Sequence, residues 1–404
     1  MKVALVCPAS LPATQFGGIM FLCLDIAREI SNSNNNVTIF TTDLDFANNA
    51  HTFNAKLPRI EKIGNFTVNR SHVWFSLKLF FVNPDMYFQL KKDKPDIIHT
   101  IGVRSFQSLV VAVIAKKYKI PLVLSDQGGL TTHPDIHRSG FFAKFVYKIQ
   151  KPIIRYIIKQ AATIIVPNQY EKNIFLEFTD GKKIEIVPNG IYLEQFPVKP
   201  DSFTAKYKIS GDFILFLGRF ARVKGIDVLL RAWSQIVRQN EDLDVKLVIM
   251  GVDFGFESEM LKMIEDLKMS QYVVVIKKPP REDVLSAYSE CLFLVLPSRW
   301  ELSPLTPLEG FMYKKPTIST TAHGIPYTIK HGENSILVEP ENHSKLSDAI
   351  LDLIHDKKKR QEYGESGYQF VQHVCNSKIM SEKIEAIYKE IINTHAKHTV
   401  LDST

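Results

Sequence analysis

The chain has 404 residues, a length that suggests two or three domains, and at 45% hydrophobic and 23% charged it has the make-up of an ordinary soluble protein with apolar mass for two cores. Its net charge of +7 and pI of about 8.9 suit anionic partners such as nucleotide diphosphates, anionic lipid or nucleic acid, without separating them. Cys7, Cys23, Cys291 and Cys375 lie far apart with no CxxC spacing, which reads as free thiols in a reducing cytosol rather than a zinc site, and no apolar run approaches the roughly 18 residues of a membrane span.

From the start of the chain, Lys2 followed by residues 3–7 looks faintly like a short signal peptide, but the apolar run is too short and a first strand accounts for it better. Residues 19–30 carry Leu22, Ile26, Ala27 and Ile30 on one stripe and predict a helix. Further strands are expected at 37–40, 96–99, 122–125, 163–166 and 184–187, with helical stretches between several of them. This is the βαβ rhythm of a parallel sheet covered on both faces. Phe196, Pro197 and Pro200 punctuate a stretch without period, read as an interdomain linker. The rhythm restarts with strands at 213–217, 246–250, 273–276, 292–296, 317–319 and 336–338, and helices at 226–237 and 258–267. The expectation is α/β, two tandem Rossmann-like doubly wound domains, with 1–196 as the first and 197–378 as the second. Residues 379–404 form a C-terminal helix, with Ile384, Ile387, Tyr388 and Ile391 on one stripe, that packs back on the first domain and ends in a frayed tail. Such halves bind ligands at the carboxyl ends of their strands, so the cleft between them is the expected active site.

Three loops carry chemistry. Gly17-Gly18 stands where the first helix starts, where a backbone can approach phosphate; a flexible turn is the plainer reading. Strand 213–217 leads into Gly218-Arg219 and then Lys224-Gly225. Two cations at a cleft mouth can neutralise a diphosphate leaving group, although solvated surface charge is their commoner fate. Strand 292–296 leads into Pro297-Ser298-Arg299-Trp300 and then Glu301-Leu-Ser-Pro-Leu-Thr-Pro-Leu-Glu309. A helix must start in this run, with Ser303-Pro304 or Thr306-Pro307 as N-cap and first helical residue. The two carboxylates can hold sugar and ribose hydroxyls; alternatively, Thr306 and Glu309 form a capping box and Glu301 is a solvated loop charge.

Together these features resemble the large retaining glycosyltransferase family with the GT-B fold that includes sucrose synthase, over roughly residues 2–388. The marks are the E-x7-E pair Glu301/Glu309, Gly218-Arg219 with Lys224-Gly225, Pro188-Asn189-Gly190-Ile191, Gly17-Gly18, and Lys315-Pro316-Thr317-Ile318 with Gly324-Ile325-Pro326. The resemblance implies a retaining, metal-independent transferase with no cofactor beyond its donor substrate, a UDP- or GDP-sugar. Arg219 and Lys224, beside Gly218, would hold the diphosphate, and Glu309 the ribose. Glu301 would hold the donor sugar, with the backbone of Leu302, Ser303, Pro304 and Leu305 assisting, and Gly17 and Gly18 would approach the phosphates. The acceptor implied is a glycan or a polyisoprenoid or other lipid-linked precursor in cell-surface polysaccharide or glycolipid synthesis.

The chain departs from the family where Gln127 replaces the customary His, where Tyr192 follows Asn-Gly-Ile, and where His323-Gly324-Ile325-Pro326-Tyr327 replaces Gly-Gly-x-Pro-Glu. Gln127 can bond a hydroxyl but cannot act as a base, which leaves Asp126 and His133 as acceptor-side candidates for acid–base work. His99 matches a family position too, and reads equally as a satisfied strand-end histidine. Asp43-Leu44-Asp45 has the letters of a DxD metal motif but follows a strand of the wrong kind of fold and reads as a solvated turn, so no metal site is expected.

Residues 136–170 contain no acid, and Lys144, Lys148, Lys151, Arg155 and Lys159 share one helical face, with Pro152 expected to divide the segment into a kinked pair. This predicts a cytoplasmic protein docked through that helix on the anionic inner face of the cell membrane, against the plainer reading of a core-facing helix with a basic edge. Other readings are a GT-B sugar-nucleotide epimerase, a non-catalytic basic nucleotide-binding protein and an NAD-dependent dehydrogenase. The last lacks G-x-G-x-x-G, and no basic–aromatic interleaving points to nucleic acid.

Overall fold

The computed structural model describes residues 1–45, 52–77, 80–127, 130, 141–179, 184–197, 201–240 and 242–401. The chain forms two compact units, Met1–Gly190 with Ser377–Thr404, and Ile191–Asn376.

The first unit is built on β1 (Lys2–Val6), β2 (Asn36–Thr42), β3 (Ile60–Ile63), β4 (Phe66–Ser71), β7 (Ile97–Ile101), β8 (Leu122–Ser125), β9 (Thr163–Val166) and β10 (Ile184–Ile186); β5 (Phe75–Leu77) and β6 (Phe80–Val82) form a separate hairpin. The sheet order is β10-β9-β8-β7-β1-β2-β4-β3, parallel except for the edge strand β3. Strands such as LVLS and TIIV are buried along their whole length, which is why they read as continuous apolar runs rather than alternations. Among the described residues, five helices belong to this unit before the chain leaves it: α1 (Gly18–Asn32), α2 (Asp85–Asp93), α3 (Phe106–Tyr118), α4 (Phe141–Gln160) and α5 (Gln169–Leu176). The C-terminal helix Ser377–Leu401 returns to pack on α1, burying Met380, Ile384 and Tyr388 in a core with Cys23 and Ile26.

The second unit has β11 (Asp212–Leu217), β12 (Val245–Gly251), β13 (Val273–Lys277), β14 (Leu294–Leu296), β15 (Thr317–Thr320) and β16 (Ser335–Val338), in the order β13-β12-β11-β14-β15-β16 and all parallel. Its helices are α6 (Phe203–Tyr207), α7 (Ile226–Gln239), α8 (Glu257–Asp266), α9 (Arg281–Glu290), α10 (Leu305–Met312), α11 (Ile325–Thr328), α12 (His343–His355) and α13 (Lys357–His373). Chain order reverses between β1 and β7 in the first unit and between β11 and β14 in the second. Loops on either side of a reversal diverge and leave a crevice, the usual ligand position in such sheets.

The structure differs from sequence expectation at several points. The division between units falls at Gly190–Ile191, not at 196–200, because the Ile191 N–H donates to the Cys375 carbonyl (3.0 Å) and Tyr313 Oη donates to the Pro197 carbonyl (3.2 Å). Pro152 lies inside one continuous helix instead of separating a pair. It and Lys148, the residue four before it whose carbonyl a proline cannot bond, are both exposed. Asp43 is no solvated turn: it is buried, accepts from the Val73 N–H (3.0 Å) and contacts His72. Among the described residues, no helix is long and apolar enough to cross a membrane.

His99 is a satisfied core histidine, with Nδ1 2.5 Å from Tyr388 Oη on the C-terminal helix and Nε2 2.8 Å from Ser125 Oγ. Burial lowers its pKa from 6.5 to about 3. Within that window the unfolded chain takes up a proton that the folded core refuses. Stability from the neutral ring is therefore complete above pH 6.5 and falls as the pH drops toward 3. In His99→Gln the melting temperature of the first unit should depend less steeply on pH across this window. Calorimetric scans of both proteins test this, and parallel slopes would refute it.

Candidate active site

The second unit concentrates chemistry at its reversal point. After β11 the chain passes Gly218-Arg219 and a short 3-10 turn, Arg222–Lys224, before α7; after β14 it runs through 297–301. Glycine is required where the two loops meet. Gly225 has φ 70°, and a Cβ there would lie 2.0 Å from the Pro297 carbonyl oxygen. Arg299 ties the loops together. Its N–H donates to the Val223 carbonyl (2.8 Å), and its guanidinium spans Asp227 Oδ1 and Oδ2 (2.7 and 2.8 Å), the Arg222 carbonyl (2.5 Å) and Glu341 Oε2 (2.7 Å). Burial by itself would raise the Asp227 pKa, but the hydrogen bonds and charge of Arg299 outweigh it and hold that carboxyl below the usual range.

This arrangement sets Lys224 Nζ in an ion pair with Glu301 Oε1, both side chains largely covered, with Ser298 Oγ 3.5 Å from the same oxygen. Arg219 lies over the Phe254 ring at 5.0 Å. Behind Glu301 the Gly324 N–H donates to its carbonyl (3.0 Å), and a Cβ on Gly324 would sit 1.8 Å from the Leu302 carbonyl oxygen. At the neighbouring departure, His323 holds a left-handed φ of 54°, a conformation suited to the glycine usual there, 6.5 Å from the Trp300 ring. Burial lowers its pKa.

The helix α10 starts in neither expected register. Pro304 is its N-cap with extended backbone, Leu305 its first residue, and no side chain caps it. Ser303 Oγ turns instead to Thr328 Oγ1 (3.3 Å). The Thr306–Glu309 capping box does not form, because Glu309 points away from the helix start to Arg281 and Tyr288 on α9. Arg281 Nη1 and Nη2 donate to Oε2 (3.0 Å) and Oε1 (2.9 Å), and Tyr288 Oη donates to Oε2 (2.9 Å). Burial and the adjacent carboxylate push the Tyr288 pKa well up, so the phenol remains a donor. Sequence reasoning missed Arg281 and Tyr288. Their signal was faint: Pro280 before Arg281 starts a helix, and seven residues on Tyr288 returns to the same face.

In the first unit Gly17 is the N-cap of α1 with φ 106°, which a side chain would strain, and Gly18 opens the helix. Asp126 and Gln127 follow β8. Asp126 is buried and accepts from the Val103 N–H (3.0 Å) and the Leu130 N–H (3.2 Å), which holds the loop. Gln127 and Asn189 exchange amide hydrogen bonds of 3.4 and 3.1 Å. Glu171 on α5, passed over in the sequence, is buried with neither oxygen bonded, and burial together with Asp126 raises its pKa well above the usual range. His133 lies outside the described residues, as does the side chain of Lys144. Lys148, Arg155 and Lys159 are exposed on α4, with Lys151 half-buried.

Two doubly wound units of this kind are the architecture of the GT-B proteins. Over 97% of this chain and 99% of the other, the fold matches sucrose-phosphate synthase from Thermosynechococcus elongatus (TM-score 0.79, 18% identity). It likewise matches HepE of Anabaena, solved with UDP and glucose (TM-score 0.75, 16% identity, 96% and 99% covered). An uncharacterized glycosyltransferase of Methanocaldococcus jannaschii is 25% identical, with 70% of this chain and 73% of that one aligned. Residues 203–370 match the family model of glycosyl transferases group 1, and residues 16–195 that of glycosyltransferase family 4. The chain belongs to the group 1 glycosyltransferases and is a transferase of EC class 2.4.

Because Gly225 is where the two site loops touch, Gly225→Ala should cost about 2 kcal/mol or more of stability in the second unit. Thermal denaturation reads this directly; an unchanged melting temperature would show that the loops need no such close approach.

Proposed function

We propose that the chain transfers a sugar, with retention of anomeric configuration and without a metal, from a UDP- or GDP-sugar to a glycan or lipid-linked acceptor. One observation carries this reading: at the reversal point of the second sheet, the cation Lys224 and the carboxylate Glu301 come from two different loops and meet side by side. A nucleotide sugar offers both a partner, a diphosphate for Lys224 and Arg219 and sugar hydroxyls for Glu301. The UDP bound to the structurally similar HepE supports a nucleotide donor. Glu309 takes a ribose hydroxyl, and the backbone around Gly218 and along 302–305 lines the donor. In the first unit, the start of α1 at Gly17 and Gly18 is a further place where backbone N–H groups suit phosphate.

In this mechanism the bond from the anomeric carbon to the diphosphate oxygen breaks as the acceptor hydroxyl attacks from the same face. The departing diphosphate takes the hydroxyl proton, and Arg219 and Lys224 stabilise its growing charge. Gln127 bonds a sugar or acceptor hydroxyl and Asp126 holds its loop. Lys224→Ala and Glu309→Ala should each weaken nucleotide binding about 10-fold or more. Glu301→Ala should chiefly lower turnover. Transfer assays with EDTA present, across a panel of UDP-, GDP- and ADP-sugars, separate these effects, and wild-type rates in all three variants would sink the assignment.

The acid-free helix α4 is proposed to dock on anionic lipid at the inner face of the cell membrane, which would bring a lipid-linked acceptor to the enzyme. Sedimentation with phosphatidylglycerol-containing liposomes should fall when Lys144, Lys148 and Lys151 are changed to Glu. Binding indifferent to lipid charge and to these substitutions would remove the membrane from the scheme.

A further inference from the structure

The two carboxylates of the site are held differently, and Glu309 is the more constrained. An ionised carboxylate has about four acceptor positions. At Glu309, Arg281 occupies one on each oxygen and Tyr288 a second on Oε2. One position remains, on Oε1. All three donors stand on α9, so a single helix fixes the orientation of a side chain borne by α10. The Arg281 guanidinium is itself held: the Phe196 ring lies 5.7 Å from it, and Phe196 packs against Tyr313 at 6.1 Å. Glu309 is only 12% exposed, so water has little access to compensate a missing partner.

We propose that Arg281 and Tyr288 are positioning residues that aim the last acceptor position of Glu309 at one ribose hydroxyl of the nucleotide and thereby make the enzyme select ribonucleotides over their deoxy counterparts. This rests on the reading of Glu309 as the ribose ligand. The physical basis is asymmetry: a hydroxyl that fills the position completes the set, whereas its absence leaves that one acceptor position of a largely buried carboxylate unfilled. Arg281 and Tyr288 do not touch the nucleotide; they act through Glu309.

The test is calorimetric binding of UDP, GDP and ADP and of their 2′-deoxy and 3′-deoxy analogues to the full chain. Wild type should bind at least one ribonucleoside diphosphate roughly 10-fold or more tightly than one of its deoxy analogues. In Arg281→Gln that ratio should collapse toward one. In Tyr288→Phe and Arg281→Lys it should fall part of the way, since Tyr288→Phe removes one donor and lysine keeps the charge but not the two-pronged donor. A purely structural role would weaken ribo and deoxy forms equally, so an unchanged ratio in the variants overturns the positioning role. If Arg281→Gln does not fold, Arg281→Lys and Tyr288→Phe decide the matter alone. A wild type that binds none of the three diphosphates instead overturns the nucleotide reading of Glu309 itself, and one that binds without discriminating overturns the selectivity.

Discussion

The candidate site depends on Arg299. It leaves β14 and reaches a carboxylate at the start of α7, a carbonyl in the turn before it, and a second carboxylate just ahead of α12. Three segments distant in sequence are fixed by one planar side chain, whose fork suits a carboxylate at two points at once. Lys224 follows Arg222 by two residues and Glu301 follows Arg299 by two, so the clamp sets the distance between them. The absent side chain of Gly225 permits the same approach from the other side. Arg299 itself was read in the sequence only as part of a strand exit. Nothing in its spacing reveals that its partners would be Asp227 and Glu341.

Much of the fold was legible because most strands are parallel and buried on both faces, so they stand out as short apolar runs; β4, also parallel and largely buried, was missed because its sequence FTVNRS alternates apolar with polar residues. Where that condition lapses, the reading fails. Edge strand β3 is half exposed and antiparallel and shows no continuous apolar run, and the β5–β6 hairpin leaves Phe75 and Leu77 exposed, with Ser76 and Lys78 interrupting its apolar residues. The unit boundary was misplaced for a related reason. Proline marks a break in local period, but membership of a unit is decided by long-range bonds such as the one from Ile191 to Cys375. Motif spacing singled out Lys224, Glu301 and Glu309 as candidates, and the structure pairs the first two with each other. Arg281 and Tyr288 were not singled out, because their role lies in a contact between helices that are successive in the chain yet separated by a strand.

The start of α10 shows how a local rule yields to a tertiary one. Thr306-x-x-Glu309 satisfies the pattern of a capping box, which offers about 1 kcal/mol. A bidentate arginine and a buried phenol offer Glu309 more, and burying Tyr288 without an acceptor would leave its hydroxyl unpaired. The carboxylate therefore turns to α9, and the first amides of α10 are left without a side-chain cap. With no side-chain cap, those amides keep their donors for an outside acceptor, a better setting for phosphate or hydroxyl oxygen than a self-capped helix would be.

The E-x7-E pair thus divides into two unlike halves. Glu301 is paired with one long, flexible lysine, a point charge whose bonds can rearrange when a diphosphate competes for it. Glu309 is held by three donors on a rigid helix and has no such freedom. In the proposed reaction this difference is functional. The group next to the bond being broken must exchange partners as charge moves from sugar to diphosphate, so a single labile ion pair suits it. The group at the nucleoside end sees no change in charge during transfer and serves best when fixed beforehand. Equal letters at regular spacing conceal this asymmetry; the partners of each carboxylate reveal it.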